Sequence, residues 1–131
     1  MKIFLLILVI LLSACGESTK DLNLICSGTY KHWGDKGRLL DEDRYELETH
    51  RFLNGKLIVQ DTDKNDKTFD VNIPCKWTEN EIICSGNLSG DHLFEFYLDR
   101  VSGRVELKQS ARSFVYFISS GKCEKVNTKK F

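Results

Sequence analysis

Alternating hydrophobic and polar positions dominate the chain after its first twenty residues. The clearest stretch is KTFDVNIPCKWT at 67–78, where every second side chain is apolar or aromatic: Phe69, Val71, Ile73, Cys75 and Trp77. A period of two places these side chains on one face of an extended strand. Pro74 lies within the stretch and has no N–H for a strand ladder, which predicts a bulge or a free edge near it.

The same pattern recurs along the rest of the chain and predicts further strands at 22–31, 43–53, 56–62, 81–87, 92–99, 104–109, 112–118 and 121–126. Turn signals separate them: Asn54-Gly55, TDKND at 62–66, NLSGD at 87–91, Ser102-Gly103 and SSG at 119–121. No stretch keeps a helical period. Eight or nine short strands at this spacing predict an all-β fold, an antiparallel meander that forms a small barrel or a sandwich.

Two halves of the chain carry matching features. The sequence ICSG at 25–28 returns at 83–86. YEL at 45–47 matches FEF at 94–96, and each is followed at the same distance by an arginine, Arg51 and Arg100. GKL at 55–57 then corresponds to GRV at 103–105 after one inserted residue. The shared order indicates either duplication of a four-strand unit or the spacing that any two β-meanders share.

The amino terminus has a different character. Lys2 precedes an unbroken apolar run from Ile3 to Leu12, which as a helix would extend about 15 Å, half the thickness of a bilayer's hydrocarbon core. Such a run predicts a signal peptide over residues 1–14 and not a mature membrane span.

Leu12-Ser13-Ala14-Cys15 resembles the lipobox of bacterial lipoproteins, and an ordinary secretory signal with an unrelated cysteine is the alternative. The resemblance implies a diacylglyceryl group on the Cys15 thiol, cleavage before it and acylation of the new amino terminus. Several acyl chains anchor a protein to a membrane durably. Gly16 differs from the aspartate that retains such proteins at the inner membrane, so the resemblance implies the outer membrane and the periplasm.

Four cysteines remain after Cys15, namely Cys26, Cys75, Cys84 and Cys123. An even number in an exported domain predicts two disulfides, and the spacings lack the C-x2-C pairs of a zinc site. Two pairings respect the internal repeat, and their loop-closure entropies, about 8 and about 7.4 kcal/mol, do not separate them. A two-residue turn at Glu79-Asn80 would place Cys75 opposite Cys84, which favours that disulfide together with Cys26–Cys123. A turn shifted by one residue would remove this argument.

Charge excludes one class of partner. The chain has 19 basic and 19 acidic residues, whereas nucleic-acid binding needs a clustered basic surface. The organisation that follows is a signal peptide, a lipidated tether at 15–21, one β-domain at 22–126 and a disordered tail at 127–131.

No catalytic or metal-binding motif stands out, and no cofactor is predicted. His32, His50 and His92 lack ligand spacing, and the strand pattern places His50 on an outward face with Glu46 and Glu48. The DTDKND stretch lacks the glycine and glutamate of a calcium loop, which favours a polar turn. The carboxylates of DEDRYELE at 41–48 are typical of an exposed charged strand; an acid/base pair among them is the alternative.

Aromatic residues supply the predicted core: Trp77, Phe94, Phe96, Phe114, Tyr116 and Phe117. Trp33 falls outside the alternation, as a partner-binding residue or as a lid over one end of a barrel. Ser27-Gly28-Thr29-Tyr30 is similar to a Ser-Gly-x-x-Tyr motif of periplasmic lysozyme-inhibitor lipoproteins, with one residue fewer and without their Trp-Thr-Lys-Gly loop. No binding residue is transferred from this resemblance.

The sequence as a whole therefore predicts a lipid-anchored periplasmic domain that acts by binding, with a protein among the possible partners. The alternatives are a lysozyme-inhibitor-like protein, a small envelope hydrolase that uses carboxylates of 41–48, and a structural envelope factor.

Overall fold

Eight antiparallel strands follow one another in chain order around a closed barrel in the computed structural model, which describes residues 20–34, 36–112 and 114–126. The strands are β1 (Leu22–Trp33), β2 (Leu39–Leu53), β3 (Lys56–Thr62), β4 (Thr68–Trp77), β5 (Glu81–Asn87), β6 (His92–Asp99), β7 (Arg104–Ala111) and β8 (Phe114–Lys125). The predicted all-β meander is confirmed, and of the two architectures the barrel is the one that forms.

One predicted turn was wrong. Ser119, Ser120 and Gly121 lie inside β8, so the two strands predicted at 112–118 and 121–126 are one. Gly121 faces Gly28 of β1 where the barrel closes. A Cβ on Gly28 would overlap the Ser120 carbonyl oxygen, and one on Gly121 would overlap the Ser27 carbonyl oxygen. These glycines therefore permit close contact between two strands, the other common role of glycine besides turn formation.

The disulfides are Cys26–Cys123 and Cys75–Cys84, the pairing that the hairpin geometry favours. The Thr78 N–H donates to the Glu81 carbonyl oxygen at 2.9 Å, which closes the two-residue turn at 79–80. Each disulfide joins directly opposite residues of neighbouring strands. Both bonds connect the first four strands to the last four, so they close the barrel at its two junctions between halves.

Pro74 lies where the ladder between β4 and β5 ends. Only Cys75, Lys76 and Trp77 of β4 pair with β5, although β4 extends back to Thr68. The free edge predicted from Pro74 is thus present, because proline offers no N–H to continue the ladder.

The tightest packing lies toward one end of the barrel, which we call the closed end. Phe52, Leu57, Ile73 and Ile82 are at most 1 % exposed there. Trp77 packs edge-on against Phe52 and donates its Nε1–H to the Gly55 carbonyl oxygen at 2.9 Å. Chain entry is at this end too, since the Gly55 N–H donates to the Lys20 carbonyl oxygen.

The aromatic core prediction holds only in part. Phe94 and Phe96 are buried, and Trp77 and Phe117 pack against the core. Phe114 and Tyr116 are only half-buried, because a bulge in β8 opposite Gln109 and Ser110 interrupts the alternation at that end of the strand.

Candidate functional site

A bulge in β2 decides which side chains enter the barrel. Cys26 of β1 faces Glu48, whereas Gly28 faces Tyr45, so the single residue Ser27 lies opposite both residues between them. One of these, Leu47, has a φ of 58° and is 76 % exposed. An extra residue in one strand shifts every later side chain to the other face.

His50 and Glu48 therefore point into the barrel. The prediction that His50 is solvated on an outward face, shared with Glu46 and Glu48, was wrong because the bulge falls between Glu46 and Glu48. Glu48 lies opposite the buried Cys26 and His50 opposite the buried Leu24. Only 12 % of the His50 side chain is exposed, whereas 44 % of the Glu48 side chain is.

His50 contacts an aromatic ring on one side and a carboxylate on another. Its ring lies edge-on to Phe96 with the centroids 5.2 Å apart, and its Nε2 is 3.7 Å from the Glu48 Oε1. Burial lowers the pKa of His50 to about 4 and raises the pKa of Glu48. At neutral pH the imidazole is uncharged, so His50 and Glu48 do not form an ion pair.

The register locates the extra residue of the first half. Gly28 faces Tyr45 as Gly86 faces Phe94, but two residues back along β1 Cys26 faces Glu48, whereas two residues back along β5 Cys84 faces Phe96. The insertion thus lies at the bulge, earlier than the position after Arg51 that the sequence match indicated. By this register Glu48 and His50 occupy the positions of Phe96 and Leu98 in the second half, so a polar pair replaces two core side chains.

The barrel wall opens beside this pair. β2 and β3 share only three facing pairs, from Leu53 with Lys56 to Arg51 with Ile58. Before Arg51, β2 has no ladder partner on that side among the described residues. A cavity of about 520 Å³ enters there between the two strands. We call it the β2–β3 cleft.

The cleft combines a polar rim with an apolar floor. Glu48, His50 and Gln60 line it, as do the buried Phe94 and the half-buried Phe117, which we call its floor. Gln109, which also lines it, accepts a hydrogen bond from the Tyr116 hydroxyl at 3.0 Å, and that hydroxyl lies 3.1 Å from the His92 Nδ1. Seven of the twelve residues that line the cleft are polar or charged, so it is more polar than the usual small-molecule pocket and suits a ligand with polar or charged groups.

Three other carboxylates of 41–48 make contacts at the surface. Asp41 accepts a hydrogen bond from the Tyr30 hydroxyl at 2.8 Å, Asp43 accepts one from the Arg44 N–H, and Glu42 lies 3.7 Å from the Lys31 ammonium. Glu48 is the member of this group that enters the cleft.

The DTDKND stretch forms a polar turn, the favoured interpretation. The Asp63 carboxylate accepts hydrogen bonds from the N–H groups of Asn65 and Lys67. Within residues 20–34, 36–112 and 114–126, no cluster of three or more histidine, cysteine or acidic side chains is arranged to hold a metal ion.

Sequence reasoning missed Glu48 and His50 as interior residues. The signal was present in the internal repeat, where one half has an additional residue, but the sequence match did not show where that residue falls. Trp33, left open as a partner-binding residue or a lid, is half-buried at the end of β1, opposite Leu39.

Cys15, the signal peptide at 1–14 and the predicted tail at 127–131 lie outside the described residues. In the part of the chain that the structure covers, no helix has the length and apolar character needed to cross a bilayer.

Comparisons with protein-family models, with curated proteins and with solved structures find no match to this chain.

Proposed function

We propose that this chain is a lipid-anchored binding protein of the periplasm, attached to the outer membrane through Cys15, whose recognition site is the β2–β3 cleft. The observation that carries the proposal is the opening between β2 and β3 in a disulfide-linked barrel, lined by the partly exposed Glu48 and the largely buried His50. The lipobox-like sequence supports the anchor.

The polar pair supports a functional role because it reduces stability. The second half of the barrel fills the matching positions with Phe96 and Leu98, and polar groups in a partly dry site are less favourable there than apolar ones. The bulge also holds Leu47, a residue other than glycine, at a positive φ. This backbone conformation costs about 1 kcal/mol or more for a residue with a Cβ atom. Such local costs concentrate at functional sites.

The fold also supports an orientation of the barrel relative to the membrane. The chain enters at the closed end, where Lys20 and Asp21 bond to the turn at 54–55. Residue 15 precedes Lys20 by a stretch that spans at most roughly 17 Å when extended. A lipid on Cys15 would hold the closed end toward the bilayer and leave the cleft, in the barrel wall, open to the periplasm.

Mass spectrometry of the natural protein tests the anchor. We expect a mature chain that begins at residue 15 and carries a diacylglyceryl group and an amide-linked acyl chain. The Cys15→Ser variant should then leave the membrane fraction, because three acyl chains supply the membrane affinity. A natural protein with an unmodified Cys15, or with residues 1–14 still attached, would contradict the proposal.

A cleft-filling variant tests the site. The natively lipidated protein in detergent micelles is used to capture binding partners from an envelope extract, and Gln60→Trp should abolish the capture because the indole occupies the cleft. The matched control is Lys76→Trp, an exposed position on β4 outside the cleft. Loss of capture in both variants, or in neither, would count against the cleft.

The hydrolase alternative has one observation in its favour. Burial raises the pKa of Glu48, which lines the cleft, and a raised pKa is typical of a carboxyl group that acts as a general acid. Asp70 also lines the cleft. The same experiment includes a panel of glycans and esters with the native protein and Glu48→Gln. Turnover by the native protein that Glu48→Gln loses would establish the enzyme; no turnover by either favours binding.

A further inference from the structure

Among the residues that the structure describes, the edge of β2 that faces the cleft has no strand partner. From Leu39 to His50 this strand pairs with β1 on one side, and on the other side the ladder with β3 begins only at Arg51. At about 3.3 Å per residue the free stretch is roughly 40 Å long. Unpaired N–H and C=O groups along such an edge are a template for another extended chain.

The charge along this edge is mostly negative. Five of the eight residues from 41 to 48 are acidic, and Arg44 is the basic one. Lys31 lies near Glu42, but at 3.7 Å and with both side chains more than half exposed, a pair of this kind neutralises little. Large apolar side chains are exposed along the same stretch: Leu39 at 45 %, Leu40 at 60 % and Leu47 at 76 %.

We propose that the free edge of β2 binds an extended, basic peptide segment of a partner protein by strand addition. The inference rests on the proposed binding role of the β2–β3 cleft and names the chemistry of its partner. Main-chain hydrogen bonds to β2 supply affinity in this mode, and side chains that alternate along the peptide supply specificity. Basic side chains complement the acidic stretch, and apolar ones cover the exposed leucines.

The same charges argue against other occupants. A second copy of the chain, paired through β2, would bring two acidic stretches together, and like charges directly opposite one another destabilise strand pairing. An anionic lipid surface is repelled for the same reason.

The cleft adds a pocket to this edge. Glu48 and His50 belong both to the free stretch and to the cleft rim, so a peptide lying along β2 passes over the opening. A lysine side chain suits it, because its hydrocarbon stem packs on the apolar floor of Phe94 and Phe117 while its ammonium group approaches the Glu48 carboxylate.

A fluorescent ten-residue peptide in which lysine alternates with valine or threonine is the probe. It is titrated into the natively lipidated protein in detergent micelles, with hydrogen exchange measured on the β2 amides. We expect saturable binding, protection of amides within 39–50, and loss of binding when alternate peptide nitrogens on one edge are methylated. Methylation removes ladder donors and leaves the charge of the peptide unchanged.

Variants of the protein test the contribution of the acidic residues of β2 to binding. The triple variant Asp41→Asn, Glu42→Gln, Asp43→Asn should bind the probe about tenfold more weakly at low salt. Its matched control neutralises exposed or half-exposed acidic residues on other strands, with Glu95→Gln, Glu106→Gln and Glu124→Gln, and should bind like the native protein. Equal thermal unfolding of the two triple variants shows that both are folded.

Four outcomes would overturn the inference: no binding, binding that survives methylation on either edge, protection confined to another strand, and a dimer of the chain alone that protects the β2 amides. Capture from envelope extract that Gln60→Trp abolishes, without any binding of the probe, would leave the proposed function standing and remove this inference. If Gln60→Trp leaves binding of the probe along β2 intact, the strand-addition inference stands but the role of the cleft as a pocket for a lysine side chain is wrong.

Discussion

Removal of the Cys26–Cys123 disulfide is expected to lower the free energy of unfolding by about 4.7 kcal/mol, because loop-closure entropy grows with the closed loop. Its cysteines are 97 residues apart, whereas Cys75 and Cys84 are 9 apart. The same relation gives about 2.7 kcal/mol for the short loop. The first bond also joins β1 to β8, the pair of strands that closes the barrel.

The two double variants, Cys26→Ala with Cys123→Ala and Cys75→Ala with Cys84→Ala, form a matched pair. Each removes one fully buried cysteine and one half-buried cysteine, so the lost packing is similar and the difference of about 2 kcal/mol reflects loop length. Urea unfolding of both variants measures it. A greater loss of stability from the short-loop variant would show that local geometry, and not loop closure, governs the contribution of these bonds.

Acidification is expected to destabilise the fold through His50 by roughly 2.5 kcal/mol between pH 7 and pH 4.5. The folded pKa is about 4, below the ordinary value of 6.5, so in this window the unfolded chain binds a proton that the folded chain excludes. The stabilisation is complete above pH 6.5 and is lost as the pH falls toward 4. Glu48, with its pKa raised by burial, acts in the opposite direction toward the acidic end of the window.

His50→Leu should remove this pH dependence, because leucine has no proton to bind and Leu98 fills the corresponding position in the second half. Thr49→Val, a neighbouring exposed position on β2, is the control and should retain it. The midpoints of urea unfolding at pH 7 and pH 4.5 measure the pH dependence of stability in the native protein and both variants. A His50→Leu protein that loses as much stability on acidification as the native protein would show that the imidazole is not buried as described.

The local pattern of residues was sufficient to predict strand bounds and turns where contacts between neighbouring residues determine them. The β3, β5 and β6 bounds match the predicted ranges, and the turns at 54–55 and 79–80 lie where the residues indicated. The disulfide pairing followed from the register of a single hairpin, because a two-residue turn leaves little freedom in which residues face one another.

The candidate site depended on distant contacts and was not predictable in the same way. No residue near Leu47 signals a bulge; the bulge follows from the register of β1 against both β2 and β8, which meet at Gly28. The misplaced turn at Gly121 has the same origin, since a glycine that relieves contact with another strand looks, in sequence alone, like one that begins a turn.

By itself the sequence determined an all-β meander and the even set of four cysteines after Cys15, because two-residue alternation and cysteine count can be read directly along the chain; the exported-type leader stays a prediction from the length of the apolar run. Tertiary structure alone decided that Glu48 and His50 face inward and that β2 parts from β3. Both depend on how strands far apart in the chain are aligned when the barrel closes, and a shift of one residue reverses which face of a strand is buried.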